Sequence, residues 1–356
     1  MKVLIVHPPV PIYGGAERVI VKLCEYMRGK GIGHGLFMPS LPKGMAEDLG
    51  DTRVLSLLEA SQKHWDVINY HNFPATLSYF NFWGVPSAWL CNEPPELFTN
   101  WKRKPIEWLN RKLVKNKIKN VIVADKFNAR RFFDLYDVVP KIIPYGVDYD
   151  FFNEVIHSRS DQFTVMQVGT ISHFKNQLAS IKALAYLKDY VSDARLILVG
   201  NVSEPDYKNE VEGAITEYQL GGHVIWEPHV TRRQLQTLYA MTDVLIHPCN
   251  EQGGWLTPFE ALSARVPVVV SGKLSCSDLI SSNNMGMVVD NNESYGPVLH
   301  DIYKLQDYHR EKTQIAKAWV KDNLSWEKYG KSMVDYFKEV ANGEARVYSG
   351  DCRVLR

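Results

Sequence analysis

Through most of its length the chain alternates short apolar runs with longer segments of helical periodicity, and this alternation restricts the fold more than any other feature. In the first half the apolar runs are 3–6, 36–38, 54–57, 67–70, 88–91 and 121–124. In the second they are 164–168, 196–199, 224–227, 244–247, 268–271 and 287–289. Runs that are apolar at nearly every position, rather than at every other one, fit strands buried on both faces. With helices between them they specify parallel sheets covered on both sides. The class is therefore α/β, with each half a Rossmann-like, doubly wound unit whose functional loops are expected at the carboxyl ends of the strands.

The pattern breaks at Pro144-Tyr145-Gly146 and in the polar run 153–162. We expect an N-terminal domain over 1–150 and a C-terminal domain over 151–325. Residues 326–343 have the spacing of an amphipathic helix, and 344–356 form a peripheral tail. A chain of 356 residues can bury two full cores. Its formal net charge of +1 argues against a globally basic nucleic-acid binder. The five cysteines, Cys24, Cys91, Cys249, Cys276 and Cys352, have no metal-ligand spacing and read as reduced, mostly buried thiols. The first apolar run is too short for a signal peptide, and no stretch approaches the roughly twenty apolar residues of a membrane span. The expected location is cytoplasmic, either free or peripheral on the inner membrane face.

Two glycine pairs carry chemistry. Gly14-Gly15 follows the first apolar run and precedes a helical segment, where missing side chains allow a ligand close to the backbone. In Gln252-Gly253-Gly254-Trp255-Leu256-Thr257-Pro258-Phe259-Glu260 a second pair leads into a helix that bears a carboxylate. Amides at a helix start hold phosphate or sugar oxygens, and a carboxylate a turn later accepts hydrogen bonds from a ribose. A phosphorylated, hydroxyl-rich ligand suits both. The G-x-G-x-x-G fingerprint of dinucleotide binding is missing, which disfavours a nucleotide-sugar epimerase or dehydrogenase.

The segment 252–260 resembles the E-x7-E region of retaining glycosyltransferases of family 4, which have the GT-B fold. Four further segments are similar to that family's motifs and in its order. They are Tyr13-Gly14-Gly15-Ala16-Glu17-Arg18, the run Ile142-Ile143-Pro144-Tyr145-Gly146-Val147-Asp148 with Phe151-Phe152, the run from Val168-Gly169-Thr170 to Lys175-Asn176, and the strand ending at Gly200. The resemblance implies two Rossmann-like domains facing a central cleft, with a C-terminal helix crossing back to the first. It implies transfer of a sugar from a nucleotide diphosphate sugar to the hydroxyl of a glycan or lipid-linked acceptor, with retention, and with neither metal nor cofactor. Two residues depart from the family pattern. Gln252 stands at the first glutamate, with Glu251 one residue early as the alternative, and Thr170 stands where an arginine is usual.

By the same resemblance, Lys175, Gln252, Glu260 and His71 are the catalytic candidates. Donor contacts are assigned to Gly14, Gly15, Gly169, Thr170, Lys175, Gly200, Gln252, Gly253, Gly254, Trp255, Leu256 and Glu260. Acceptor contacts fall to His71, Asn92 and Glu93, and Asn92 occupies the place of a family histidine. A hydrogen-bonded structural role is the other reading of His71. Asp148-Tyr149-Asp150 matches D-x-D, but paired carboxylates near a turn are common without an ion, and we expect no metal site. With one acid, Glu107, among eight basic residues, the stretch 102–119 fits either an anionic membrane surface or a solvated helix face. Gln252 and Thr170 also leave open a GT-B binding or scaffold protein with weak or no catalysis.

Overall fold

The computed structural model describes residues 1–11, 13–91, 104–158, 162–228, 230–250 and 255–345. The chain divides into two compact units, Met1–Gly146 with Trp326–Arg356, and Val147–Ser325.

In the first unit, β1 (Lys2–Val6), β2 (Gly33–Phe37), β3 (Val54–Leu55), β4 (Val67–His71), β5 (Ser87–Leu90), β6 (Asn120–Val123) and β7 (Lys141–Ile142) form one sheet. Its order is β3-β2-β1-β4-β5-β6-β7, and every pairing is parallel. The fully buried run 3–6 of β1 shows why the sequence reads as continuously apolar: both sheet faces are covered. Strand β7 escaped the sequence reading because two residues, one of them Lys141, make no apolar run.

Helix Gly15–Gly29 covers one face, burying Val19, Ile20, Leu23, Cys24 and Met27 along one stripe. The last helix, Trp326–Ala341, returns to this unit and packs against Gly15–Gly29. Contact is close because residue 330 is glycine. A Cβ there would stand 2.2 Å from the Tyr26 ring. On the other side of the sheet, Trp89 meets Phe132 and Tyr136 edge-on, with ring centroids 5.2 Å and 5.6 Å apart.

The second unit contains β8 (Thr164–Val168), β9 (Arg195–Val199), β10 (Val224–Glu227), β11 (Val244–His247), β12 (Val268–Ser271) and β13 (Met287–Val289). They form a parallel sheet in the order β10-β9-β8-β11-β12-β13. Successive strands therefore leave β8 in one direction and β11 in the other. Loops after these two strands diverge over the crevice where ligands of such sheets bind. The corresponding switch point of the first unit lies between β1 and β4. No helix among the described residues is long and apolar enough to cross a membrane.

Candidate active site

In the second unit the loops after β8 and β11 are tied together at their backbones. The Asn176 side-chain amide donates to the Pro248 carbonyl at 2.9 Å, and the Asn250 side-chain amide donates to the His173 carbonyl at 2.7 Å. The Asn250 peptide N–H donates to the Phe174 carbonyl at 3.0 Å. Asn176 is buried and left-handed, with φ 55°, a conformation asparagine tolerates better than most residues. Gln167 braces the first loop from below: its amide donates to the Lys175 carbonyl at 2.7 Å and its oxygen accepts from Ser180 at 2.7 Å. Asn176 was named in the sequence only as the end of the Lys175 motif and Asn250 not at all, since their partners lie 72 and 77 residues away.

Lys175 sits at the end of this braced loop. Its stem covers Gly169, where a Cβ would come within 3.2 Å of Cδ and Cε. The ammonium lies 5.3 Å from the centroid of the Phe174 ring. It is also close enough to Cys249, in the second loop, to oppose the burial that pushes that thiol up to about 12. Lys273, after β12, acts on the same thiol. Positive charge thus collects where the loops converge. Thr170 contributes its carbonyl to Gln177 at 3.0 Å. Gly200 lies against Gly169 with almost no clearance.

The helices that follow these loops differ in what they offer. At the start of Gln177–Lys188 the Leu178 amide is already bonded to the Tyr207 hydroxyl at 3.1 Å, so this terminus has fewer amides free than a bare helix end. Helix Leu256–Ser263 begins at Trp255 without a side-chain cap, with Trp255 buried against Phe259 at 4.8 Å between centroids. Glu260, half-buried on that helix, adds its charge to the burial that holds the Tyr239 hydroxyl well above its usual range. Glu251, Gln252, Gly253 and Gly254 lie outside the described residues.

At the switch point of the first unit, four polar side chains are buried beneath the glycine loop. The Gly14 amide donates to Glu17 Oε2 at 2.8 Å, and Gly14 begins helix Gly15–Gly29. Glu17 Oε1 lies 3.6 Å from His7 Nε2, and His71 Nε2 lies 2.5 Å from Asn69 Oδ1. Burial lowers His7 to about 4 and His71 to about 3, and holds the Glu17 carboxyl above the usual carboxylate range. His71 is 1% exposed, and its ring also faces that of His7 at 6.5 Å between centroids. His7 and Glu17 had no signal in the sequence beyond their places at a strand end and in the glycine loop. Asn92 and Glu93 lie outside the described residues.

Asp148 is ion-paired with Arg232 at 2.9 Å, and Asp150 lies in the first turn of helix Tyr149–Asn153. Among the described residues no group of three or more His, Cys, Asp or Glu is placed to hold a metal.

Residues 148–319, inside the second unit, match the family described as glycosyl transferases group 1. Among curated proteins, the O-antigen chain mannosyltransferase RfbU of Salmonella typhimurium is 22% identical over 102 residues, a match spanning 29% of this chain and 29% of that protein. A glycosyltransferase from Rickettsia africae superposes with a TM-score of 0.78 at 17% identity, covering 95% of this chain and 98% of that one. HepE of Anabaena, solved in complex with UDP and glucose, has a TM-score of 0.80 at 16% identity, covering 94% and 99%. WaaG, a glycosyltransferase involved in lipopolysaccharide biosynthesis, has a TM-score of 0.73 at 15% identity, covering 95% and 99%. The shared architecture is GT-B, two Rossmann-like parallel-sheet domains.

Proposed function

We propose that the protein transfers a sugar from a nucleoside diphosphate sugar to an acceptor hydroxyl, with retention of configuration and without a metal. The observation that carries this reading is the convergence of the loops after β8 and β11, braced by Asn176 and Asn250 around Lys175. In this reading Lys175 stabilises the charge that builds on the departing diphosphate. Glu260 accepts hydrogen bonds from the ribose, and Gln252, or Glu251, faces the sugar with the amides of Gly253, Gly254, Trp255 and Leu256. Gly169, Thr170 and Gly200 line the donor phosphates. The first unit takes the acceptor, through Asn92, Glu93 and the backbone of Gly14 and Gly15, which is open to donor or acceptor alike; His71, 1% exposed and bonded to Asn69, is structural in this reading.

The bond from the sugar carbon to phosphate breaks as the acceptor oxygen bonds to that carbon on the same face. The acceptor proton passes to the leaving diphosphate, so no protein nucleophile is needed. HepE was solved with UDP and glucose, which makes uridine diphosphate sugars the first donors to try. The test is release of nucleoside diphosphate from a donor panel, with and without glycan and lipid-linked acceptors. Gln252 and Thr170 motivate the second reading, a binding protein. It predicts nucleotide binding with no transfer to any acceptor.

A further inference from the structure

We propose that His173 is a positioning residue of the donor site: its imidazolium, clamped between Glu204 and Glu210, fixes the path of residues 171–176 and so sets where Lys175 stands. This deepens the sugar-transfer reading and rests on it for the identity of the ligand, while the clamp itself lies within the second unit.

Three side chains meet at the imidazole. Glu204 Oε2 lies 2.6 Å from His173 Nδ1 and Glu210 Oε1 lies 3.3 Å from Nε2, so each ring nitrogen faces a carboxylate. The Tyr207 ring stands 4.3 Å away between centroids. Helix Pro205–Glu217 starts from Glu204, and Tyr207 and Glu210, three residues apart, share one of its faces. A neutral imidazole donates from one nitrogen only, whereas the imidazolium donates from both. Two carboxylates therefore select the charged form. The hydrogen bond to Glu204, joined by the charges of Glu210 and Glu204, holds His173 above the ordinary histidine value.

The backbone of the same residue ties this clamp to Lys175. The His173 carbonyl takes the Asn250 side-chain amide at 2.7 Å, and its peptide N–H donates to Glu204 Oε2 at 3.3 Å. The Lys175 N–H closes a turn on the Ser172 carbonyl at 3.0 Å, so a shift at residue 173 carries Lys175 with it. Upstream the path is already pinned: the Ile171 N–H donates to the Asn201 carbonyl at 2.8 Å, and the Ser203 N–H returns to the Ile171 carbonyl at 3.2 Å. Between Ile171 and Lys175, His173 is the one side chain that titrates near neutrality. Of the groups around it, Tyr207 and Cys249 are pushed up to about 12 by burial and keep their protons throughout. Glu251, in the loop after β11, lies outside the described residues. Because the folded value is raised, the clamp is closed below that value and opens as pH rises through it. Exposed pairs of this kind add little to global stability, so the loop responds and the fold does not.

The test compares the wild-type chain with His173→Lys, which keeps a cation between the carboxylates, and His173→Asn, which keeps none, at about pH 6 and about pH 8.5. Hydrogen exchange of the peptide spanning 171–176 is read as the ratio between proteins at each pH, which cancels the intrinsic pH dependence of exchange. Calorimetric titration with UDP-glucose, whose diphosphate does not titrate in this range, reads the site itself. Wild type should match His173→Lys at the lower pH and His173→Asn at the higher, with UDP-glucose bound about three- to fivefold more weakly when the clamp is open. An unchanged thermal melt verifies that both variants are folded. Wild-type exchange that keeps the same ratio to both variants at both pH values would overturn the proposal, and so would equal UDP-glucose affinity in all three proteins. Exchange that follows the clamp while UDP-glucose binds at neither pH would uphold it and count instead against the sugar-transfer reading.

Discussion

Gly200 and Gly169 touch through their backbones: a Cβ on Gly200 would stand 2.2 Å from the Gly169 carbonyl oxygen. Both glycines have φ values that other residues rarely adopt, 145° and 154°. The turns after β8 and β9 can meet only while residue 200 lacks a side chain. Gly200→Ala should therefore destabilise the second unit by about 3 kcal/mol, combining overpacking with backbone strain. Gly213, in helix Pro205–Glu217 with nothing near its missing Cβ, is the control. Gly213→Ala should stabilise by about 0.5–1 kcal/mol. Urea unfolding of both variants checks the contrast.

Lys175→Ala should lower kcat about a hundred- to a thousandfold, because its partner gains charge only as the bond to phosphate breaks. Glu260→Gln should act mainly on donor affinity, raising the donor KM by about tenfold or more, as expected when a charge-assisted hydrogen bond to the ribose becomes a neutral one. Steady-state kinetics separate the two. Near-normal turnover in Lys175→Ala contradicts its role.

Acid should destabilise the first unit above the range in which ordinary carboxylates titrate. His7 and His71 are held neutral in the fold, at about 4 and about 3, whereas the unfolded chain protonates them near 6.5. Between those values the unfolded state binds more protons, so stability falls as pH drops below about 6.5. Each histidine should account for on the order of 1–2 kcal/mol between pH 7 and pH 5. Glu17, whose carboxyl is shifted upward, works in the opposite sense and offsets part of the loss. His7→Asn, which can keep a donor toward the Pro8 carbonyl, should make the urea midpoint less sensitive to pH over this range.

Transfer should survive EDTA. The Asp148 carboxylate that a D-x-D metal would need is paired with Arg232 and largely buried. Loss of activity in chelator, with recovery on adding manganese or magnesium, would show that Asp148 and Asp150 bind a metal after all.

The sheets were legible in the sequence because parallel strands buried on both faces leave an unbroken apolar run, as 3–6 and 196–199 do. What was missed came from distance or brevity. Strand β7 is two residues long. The Asn176 and Asn250 bonds join loops more than seventy residues apart, and His7 meets Glu17 only because β1 and the glycine loop share a switch point. Spacing could suggest Lys175 and Glu260 because their motifs are local. It could not reveal that the loop carrying Lys175 is braced from the strand below by Gln167.

The most direct test of the central claim is to incubate the protein with a panel of nucleoside diphosphate sugars and acceptors, measuring nucleoside diphosphate released and glycoside formed. Release matched one-to-one by a product of retained anomeric configuration, and lost in Lys175→Ala, is the result expected. Failure of every donor to bind or to release nucleotide would contradict the assignment of the second unit as a nucleotide-sugar site.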